Sequence, residues 1–297
     1  MNIYLVRKNL NYILFIALLL FYSGKFASGQ ELLPPDSVTK ELIRQMQQSN
    51  SDSVRKAANS IFRDILGKAI LMDGSFSHGF DSLKNLLIRN SPDNKIRLYT
   101  WVIAQTDGNQ FNYFGYLQYK TKSGAFKVVS LYDSTESIKK TELERLKPEK
   151  WFGATYYEII PVKRGKKTYY TLLGWKGKDR RITQKVIDVL HFDNDNPRFG
   201  FPLFKTDNVY KNRVIFSYTS QASMSLRYEK NMRMIVFDHL SAPGKSAAEG
   251  SMEQLMGPDG SYDGFRFKSS RWVYQRDVDV RSDWKPGRTN LQTPSQR

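Results

Sequence analysis

Apolar and polar positions along this chain follow three successive rhythms. The first is an uninterrupted apolar run of 11 residues, Tyr12 to Tyr22, preceded by Arg7 and Lys8 and followed by the small-residue exit Ala27-Ser28-Gly29. That is the pattern of a secretory signal peptide. A helix needs about 20 apolar residues to cross a hydrocarbon core, and Ser23, Gly24 and Lys25 end this run well short of that. Residues 1–29 are therefore expected to be a cleaved leader. The second rhythm is helical. Asp36 or Ser37 can cap a helix with the apolar face Val38, Leu42, Ile43 and Met46, and Asp52 can cap a second. Val54, Ala58, Ile61, Phe62 and Ile65 then recur at the spacing of one buried stripe. A shorter third helix is predicted around Leu83, Leu86 and Leu87, ended by Ser91-Pro92 because the residue before proline is pushed away from helical angles.

From Lys95 the rhythm becomes that of strands. Segments rich in Tyr, Phe, Trp, Val and Ile are cut at short intervals by turn residues. Ile96–Ala104 and Phe111–Lys120 flank Asp107-Gly108, a dipeptide suited to the positive φ of a tight hairpin. Ser123-Gly124 turns into Phe126–Tyr132, and the polar stretch Ser137–Leu146 is predicted as a short helix before Pro148. Thr155–Val162 and Thr168–Trp175 flank Arg164-Gly165-Lys166. Further strands are predicted at Lys185–Phe192, Arg213–Tyr218, Met224–Tyr228, Met232–Phe237 and Phe265–Tyr274, about ten in all. Many short strands with few helices between them predict a mainly β (α+β overall) fold. The expected architecture is a single antiparallel β domain, a sandwich or a curled, barrel-like sheet. The predicted organisation is a leader at 1–29, a helical segment at 30–91 packed on the sheet, the β domain at 92–275 and a disordered tail at 276–297. Charges in mid-strand argue against an outer-membrane barrel.

Composition narrows the setting. The chain has 297 residues and no cysteine, which excludes disulfides, thiolate catalysis, thiolate metal sites and a lipid-modified cysteine. The formal charge of +17 falls to +14 once Arg7, Lys8 and Lys25 leave with the leader. A strongly basic body steers anionic partners toward itself. Export makes nucleic acid the wrong polyanion, so an envelope protein or an anionic glycan is the expected partner, and the protein is expected to be periplasmic or secreted. Lysine and arginine also serve a plainer purpose, keeping a β-rich surface soluble and blunting its edges.

Candidate chemistry is sparse. Of the common catalytic motifs, no nucleophile elbow, phosphate loop, dinucleotide fingerprint or zinc-protease helix is present. With His78, His191 and His239 the only histidines, a histidine-rich metal centre is not expected. Asp238 and His239, ending the apolar strand Met234–Phe237, are the best pair for acid–base work, although neighbours on a strand point to opposite faces. Asp259, Ser261 and Asp263 place oxygens at alternate positions followed by Gly264, as a calcium loop does. Position twelve of that loop is Ser270, so the bidentate glutamate of an EF-hand is missing, and a glycine-rich turn is the simpler reading. No other cofactor is expected. Aromatic clusters at Tyr113, Phe114, Tyr116 and Tyr119 and at Trp151, Phe152, Tyr156 and Tyr157 divide between core packing and any binding face.

Several stretches carry a family-level resemblance: Arg97–Lys120, Tyr169–Gly177, Lys185–Asp193, Arg213–Lys230, Met234–Leu240 and Gly257–Phe267. Together they resemble a family of secreted proteins from Bacteroidota-type Gram-negative bacteria, over roughly residues 91–280. The resemblance implies an exported envelope protein and brings no activity or catalytic residue with it. The expected function is a non-catalytic β protein that binds an envelope partner. The alternative is a hydrolase of envelope material using loop residues such as Asp238 and His239.

Overall fold

Among the described residues α-helix is confined to the N-terminal part of the molecule. The computed structural model describes residues 36–80, 83, 86–242 and 256–280. Within them Asp36–Gln48 (α1) and Asp52–Leu71 (α2) pack on each other. Leu42, Ile43 and Met46 of α1 are buried as their spacing predicts. The stripe of α2 is turned from the predicted one: Ala58, Phe62, Leu66, Ala69 and Ile70 are buried, and Val54, Ile61 and Ile65 flank it. The reason is polar. Asn59 faces inward as well, its Oδ1 accepting the Trp101 indole N–H at 2.8 Å. Asp52 does not cap α2 either; it is the first helical residue, and its carboxylate accepts the Thr106 N–H at 2.8 Å. The leader at 1–29 and all but residues 276–280 of the expected tail lie outside the described residues.

Three open sheets follow. The first holds Leu87–Asn90 (β1), Ile96–Ala104 (β2), Phe111–Lys120 (β3) and Phe126–Tyr132 (β4), paired in that order. The central sheet contains Thr155–Arg164 (β5), Lys167–Gly177 (β6), Ile182–Asp193 (β7) and Val214–Thr219 (β11) in the order β11-β7-β6-β5, with Asn196–Phe199 (β8) also on β7. The third runs β10-β9-β15-β14-β13-β12, formed by Phe204–Thr206 (β9), Val209–Lys211 (β10), Leu226–Glu229 (β12), Met234–Ser241 (β13), Gly257–Lys268 (β14) and Arg271–Gln275 (β15). All pairs are antiparallel except β9 with β15. The fold is mainly β and sandwich-like, and no sheet closes into a barrel.

Side-chain alternation decides the stacking. On β2, Tyr99, Trp101 and Ile103 face the helices, whereas Ile96 and Leu98 face the central sheet. On β6, Tyr170 and Leu172 return that contact, and Tyr169 and Leu173 turn to the third sheet, where Phe204, Ile235, Phe265 and Trp272 meet them. The order of layers is helices, first sheet, central sheet, third sheet. A central sheet covered on both faces must be apolar on both, which is why β6 and β7 read as nearly continuous hydrophobic runs. Each fully buried large side chain contributes about 1.5–3 kcal/mol of transfer free energy.

Several boundaries differ from expectation. Leu87 begins a strand, not the last turn of a third helix: β1 pairs with β2, and Ser91 Oγ accepts the Lys95 and Ile96 N–H groups to close the turn between them. Residues 81, 82, 84 and 85 of that predicted helix lie outside the described residues. Ser137–Leu146 forms turns with a short 3-10 helix before it at Thr135–Ser137. The predicted strand Phe265–Tyr274 is the tip of a hairpin whose turn places Ser269 at φ 50° and Ser270 at φ 60°. Glycine or asparagine is the usual resident of such a turn, so two serines concealed it.

Candidate functional site

Asp263 lies on β14 opposite Phe237 of β13, and the register between these strands slips from Asp238 to Leu240. The extra residues are on β14, where Asp259, Gly260 and Ser261 stand against His239 alone. Its Nδ1 lies 2.7 Å from Asp263 Oδ2, which also accepts the Tyr274 hydroxyl at 2.6 Å, while Asp263 Oδ1 accepts the Asp277 N–H at 3.1 Å. Burial pushes the Asp263 carboxyl up, but the His239, Tyr274 and Asp277 hydrogen bonds outweigh it, and its pKa falls below the ordinary value. Asp259 Oδ2 is 4.0 Å from His239 Nε2. The structure thus brings His239, Asp259 and Asp263 together.

Asp238 is not part of that group. Its carboxylate accepts the Ser225 N–H at 2.7 Å. Nor do Asp259, Ser261 and Asp263 converge on a cation: Asp259 Oδ1 accepts both the Ser261 N–H and its hydroxyl, at 3.0 and 2.7 Å. These residues form a turn-like irregularity within β14, with Gly260 at φ 93°. Among the described residues no group of three or more His, Asp or Glu is placed to hold a metal. The His239 imidazole is thus held between two carboxylates, those of Asp263 and Asp259. His191 is buried against Tyr169 and Phe201, and burial lowers its pKa, keeping it neutral as a core residue.

A second site lies where β4 leaves the first sheet. The last β3–β4 pair is Phe114 with Tyr132; Asp133 then bridges to Trp151, whose N–H donates to the Tyr132 carbonyl. The start of β3 is left without β4 beside it, and a cleft of about 640 Å³ opens there. Its walls include Arg63 of α2, Phe111, Tyr113 and Phe114 of β3, Tyr132 through Ser137, and Lys176 to Lys178 at the end of β6 and just beyond it. The Arg63 guanidinium lies 5.5 Å from the Phe114 ring centre and 5.8 Å from that of Tyr132, whose ring is half exposed. Arg63, Lys176 and Lys178 and the carboxylates of Asp133 and Glu136 are among the charged groups that line it. Arg180 and Arg181 line a neighbouring depression with Asn109 and Asp179.

The floor of the cleft carries a buried amine. Lys176 is only 4% exposed, and its Nζ sits 4.1 Å from the Tyr113 ring centre and 4.7 Å from that of Phe152. It donates to the Gly153 carbonyl at 2.5 Å and to Thr135 Oγ1 at 3.0 Å. Thr135 Oγ1 in turn donates to Asp133 Oδ1 at 2.5 Å, and the same oxygen accepts the N–H groups of Thr135 and Gly153 at 3.0 and 3.2 Å. Burial drives the Lys176 pKa down to about 8; Asp133 pulls it upward, and Arg213 adds to the lowering. Behind Phe152, fully buried Arg213 and Asp188 pair at 2.8 Å, and Asp188 also accepts the Tyr156 hydroxyl at 3.2 Å. Glycine is obligatory at 153, because a Cβ there would stand 2.5 Å from Asp133 Cγ and Tyr113 Cβ.

Sequence reasoning passed over Lys176, Asp133 and Thr135. One signal was present: Lys176 ends an apolar run in a strand apolar on both faces, and a cation there has no exposed side to take. Comparison with protein-family models, with curated proteins and with solved structures finds no match for this chain.

Proposed function

We propose that the protein is exported to the cell envelope and binds an anionic glycan there, in the cleft between α2, β3 and the end of β6. The observation that carries this reading is the pairing of a half-exposed aromatic wall with a cation at the opening: the Arg63 guanidinium stands over Phe114 and Tyr132. Aromatic faces accept the apolar faces of sugar rings, and guanidinium groups take carboxylates, sulfates or phosphates in bidentate fashion. A cavity of this volume suits a few sugar rings. An envelope protein would call for a broader contact of about 800 Å² on each partner, so the glycan is the favoured occupant. Export rests on the apolar run before Gly29 and is consistent with the basic, thiol-free body. Among the described residues no helix is long and apolar enough to cross a membrane.

Two measurements test the reading. Titration calorimetry with oligogalacturonate, a chain of uronic acids, should show salt-sensitive binding that a neutral oligosaccharide of equal length lacks. Arg63→Ala and Tyr132→Ala should each weaken it about tenfold, the worth of one cation or stacking contact. Absence of binding, or binding indifferent to both variants, would reject the cleft. Mass measurement of the protein recovered from an exporting Gram-negative host should place the mature N-terminus at Gln30; an uncut chain in the cytosol would reject the envelope assignment.

A further inference from the structure

The contacts of Lys176 ask more of it than charge balance. A lysine retained as a structural cation is expected to meet a carboxylate directly, because an unpaired buried charge is costly. Among the described residues Nζ pairs with none. Its hydrogen-bond partners are a carbonyl, Gly153 O, and a hydroxyl, Thr135 Oγ1, with the Tyr113 and Phe152 rings beside it, and its hydrogen-bonded path to Asp133 runs through that hydroxyl. The result is a continuous chain, Lys176 Nζ to Thr135 Oγ1 to Asp133 Oδ1, in the wall of an open cleft. Thr135 itself is partly exposed.

We propose that Thr135, Lys176 and Asp133 form an acyl-transfer site, with the Thr135 hydroxyl as nucleophile toward carboxylic esters. Rotating the Thr135 O–H bond from Asp133 Oδ1 to Nζ moves no heavy atom and presents the proton to a neutral amine. As Oγ1 attacks the ester carbonyl, Nζ takes that proton, and the oxygen–carbonyl bond forms. On collapse the bond from the carbonyl carbon to the alcohol breaks, and the ammonium returns the proton to the departing alcohol. Water then attacks the acyl-threonine by the same route, giving the carboxylic acid and restoring the hydroxyl. Water is the only co-reactant, and no oxidation state changes. Asp133, fixed by the Thr135 and Gly153 N–H groups, anchors the turn that carries the nucleophile and stabilises the ammonium formed in each half-reaction. A base whose proton affinity lies near neutrality suits this exchange, and the burial that lowers Lys176 to about 8 supplies it. The site stands apart from the glycan reading, since it depends on the floor of the cleft and not on Arg63 or Tyr132.

The full chain without its leader is incubated with p-nitrophenyl acetate and, separately, with an alkyl fluorophosphonate. The expected results are ester hydrolysis that rises with pH to a plateau above about 8 and a phosphonyl adduct mapped by mass spectrometry to Thr135. Thr135→Val, nearly isosteric, should lower hydrolysis about 100-fold or more and abolish the adduct. Lys176→Arg keeps a cation but cannot act as a base, and should lower hydrolysis as far. Thr135→Ser should retain both activities. An adduct elsewhere, or hydrolysis unchanged in Thr135→Val, overturns the proposal. If Lys176→Arg fails to fold by circular dichroism, the Thr135 variants decide alone. Loss of oligogalacturonate binding leaves these results untouched, so the two readings fail independently.

Discussion

Lys176 and Asp263 are displaced from their ordinary titration by opposite balances of the same forces. For Lys176 burial wins, and its folded pKa of about 8 lies below the ordinary 10.5. Between those values the unfolded chain holds the extra proton, so folding stability should rise with pH across that window. Lys176→Met should remove the rise while leaving the protein at least as stable at pH 7, because a hydrophobic isostere replaces a desolvated charge; chemical denaturation at pH 7 and pH 10 reads both. For Asp263 hydrogen bonding wins, and its folded pKa lies below 3.8. Its contribution is present at neutral pH and disappears as the pH falls below that value, because the unfolded chain takes up the proton first. Asp263→Asn should cost about 1–3 kcal/mol at pH 7 and flatten the acid limb of the stability curve. An unaltered limb would show that His239, Tyr274 and Asp277 do not hold the carboxylate. Asp238 and His239 were legible as polar groups after an apolar run, although the strand continues through them to Ser241; their partners were not legible, since Asp263 lies 24 residues beyond His239 and reaches it only through the pairing of β13 with β14.

At the scale of elements, the strands that pair locally were the readable ones. Phe111–Lys120 and Phe126–Tyr132 match their predicted limits because Ser123-Gly124 announces the turn between them, and Gly124 takes φ 90°. β14 escaped for the opposite reason, since its Asp259, Gly260 and Gly264 resemble a loop until β13 lies beside them. Gly264 is needed there: an added Cβ would stand 2.8 Å from Met234 Sδ and 3.0 Å from the Ile235 carbonyl. The cleft depends on a comparable approach, that of Gly153 to the end of β4. Gly153→Ala should therefore lower stability by about 1–3 kcal/mol through overpacking and, by displacing Asp133, diminish the ester hydrolysis proposed for the cleft. A variant with unchanged melting temperature would show that the segment yields freely.

Across the whole molecule, the order of layers sets where stability resides. β6 and β7 are covered on both faces, whereas α1 and α2 cover only one face of the first sheet. Amide hydrogen exchange should be slowest in β6 and β7, faster in the third sheet and fastest among the described helical residues, since local opening is easiest where least apolar surface is buried. Equal protection in the helices would contradict this order. The same stacking places the cationic cleft and the arginines near Asp179 at one end of the molecule, where Phe111 packs edge-on against Trp175.

Periodicity and composition along the chain determined by themselves that helices come first and strands after, that charge is strongly positive and that no thiol chemistry is available. These are properties of residue types and their spacing over about ten neighbours, and local backbone preference with apolar alternation is enough to fix them. Which face of each strand meets which layer, that β4 departs from β3 after Tyr132, and that Thr135 and Lys176, 41 residues apart, share a proton path were decided only by tertiary structure. Alternation separates two faces but does not say what will cover them, and a lysine in an apolar strand becomes a low-affinity proton carrier only when a neighbouring sheet has excluded the water around it.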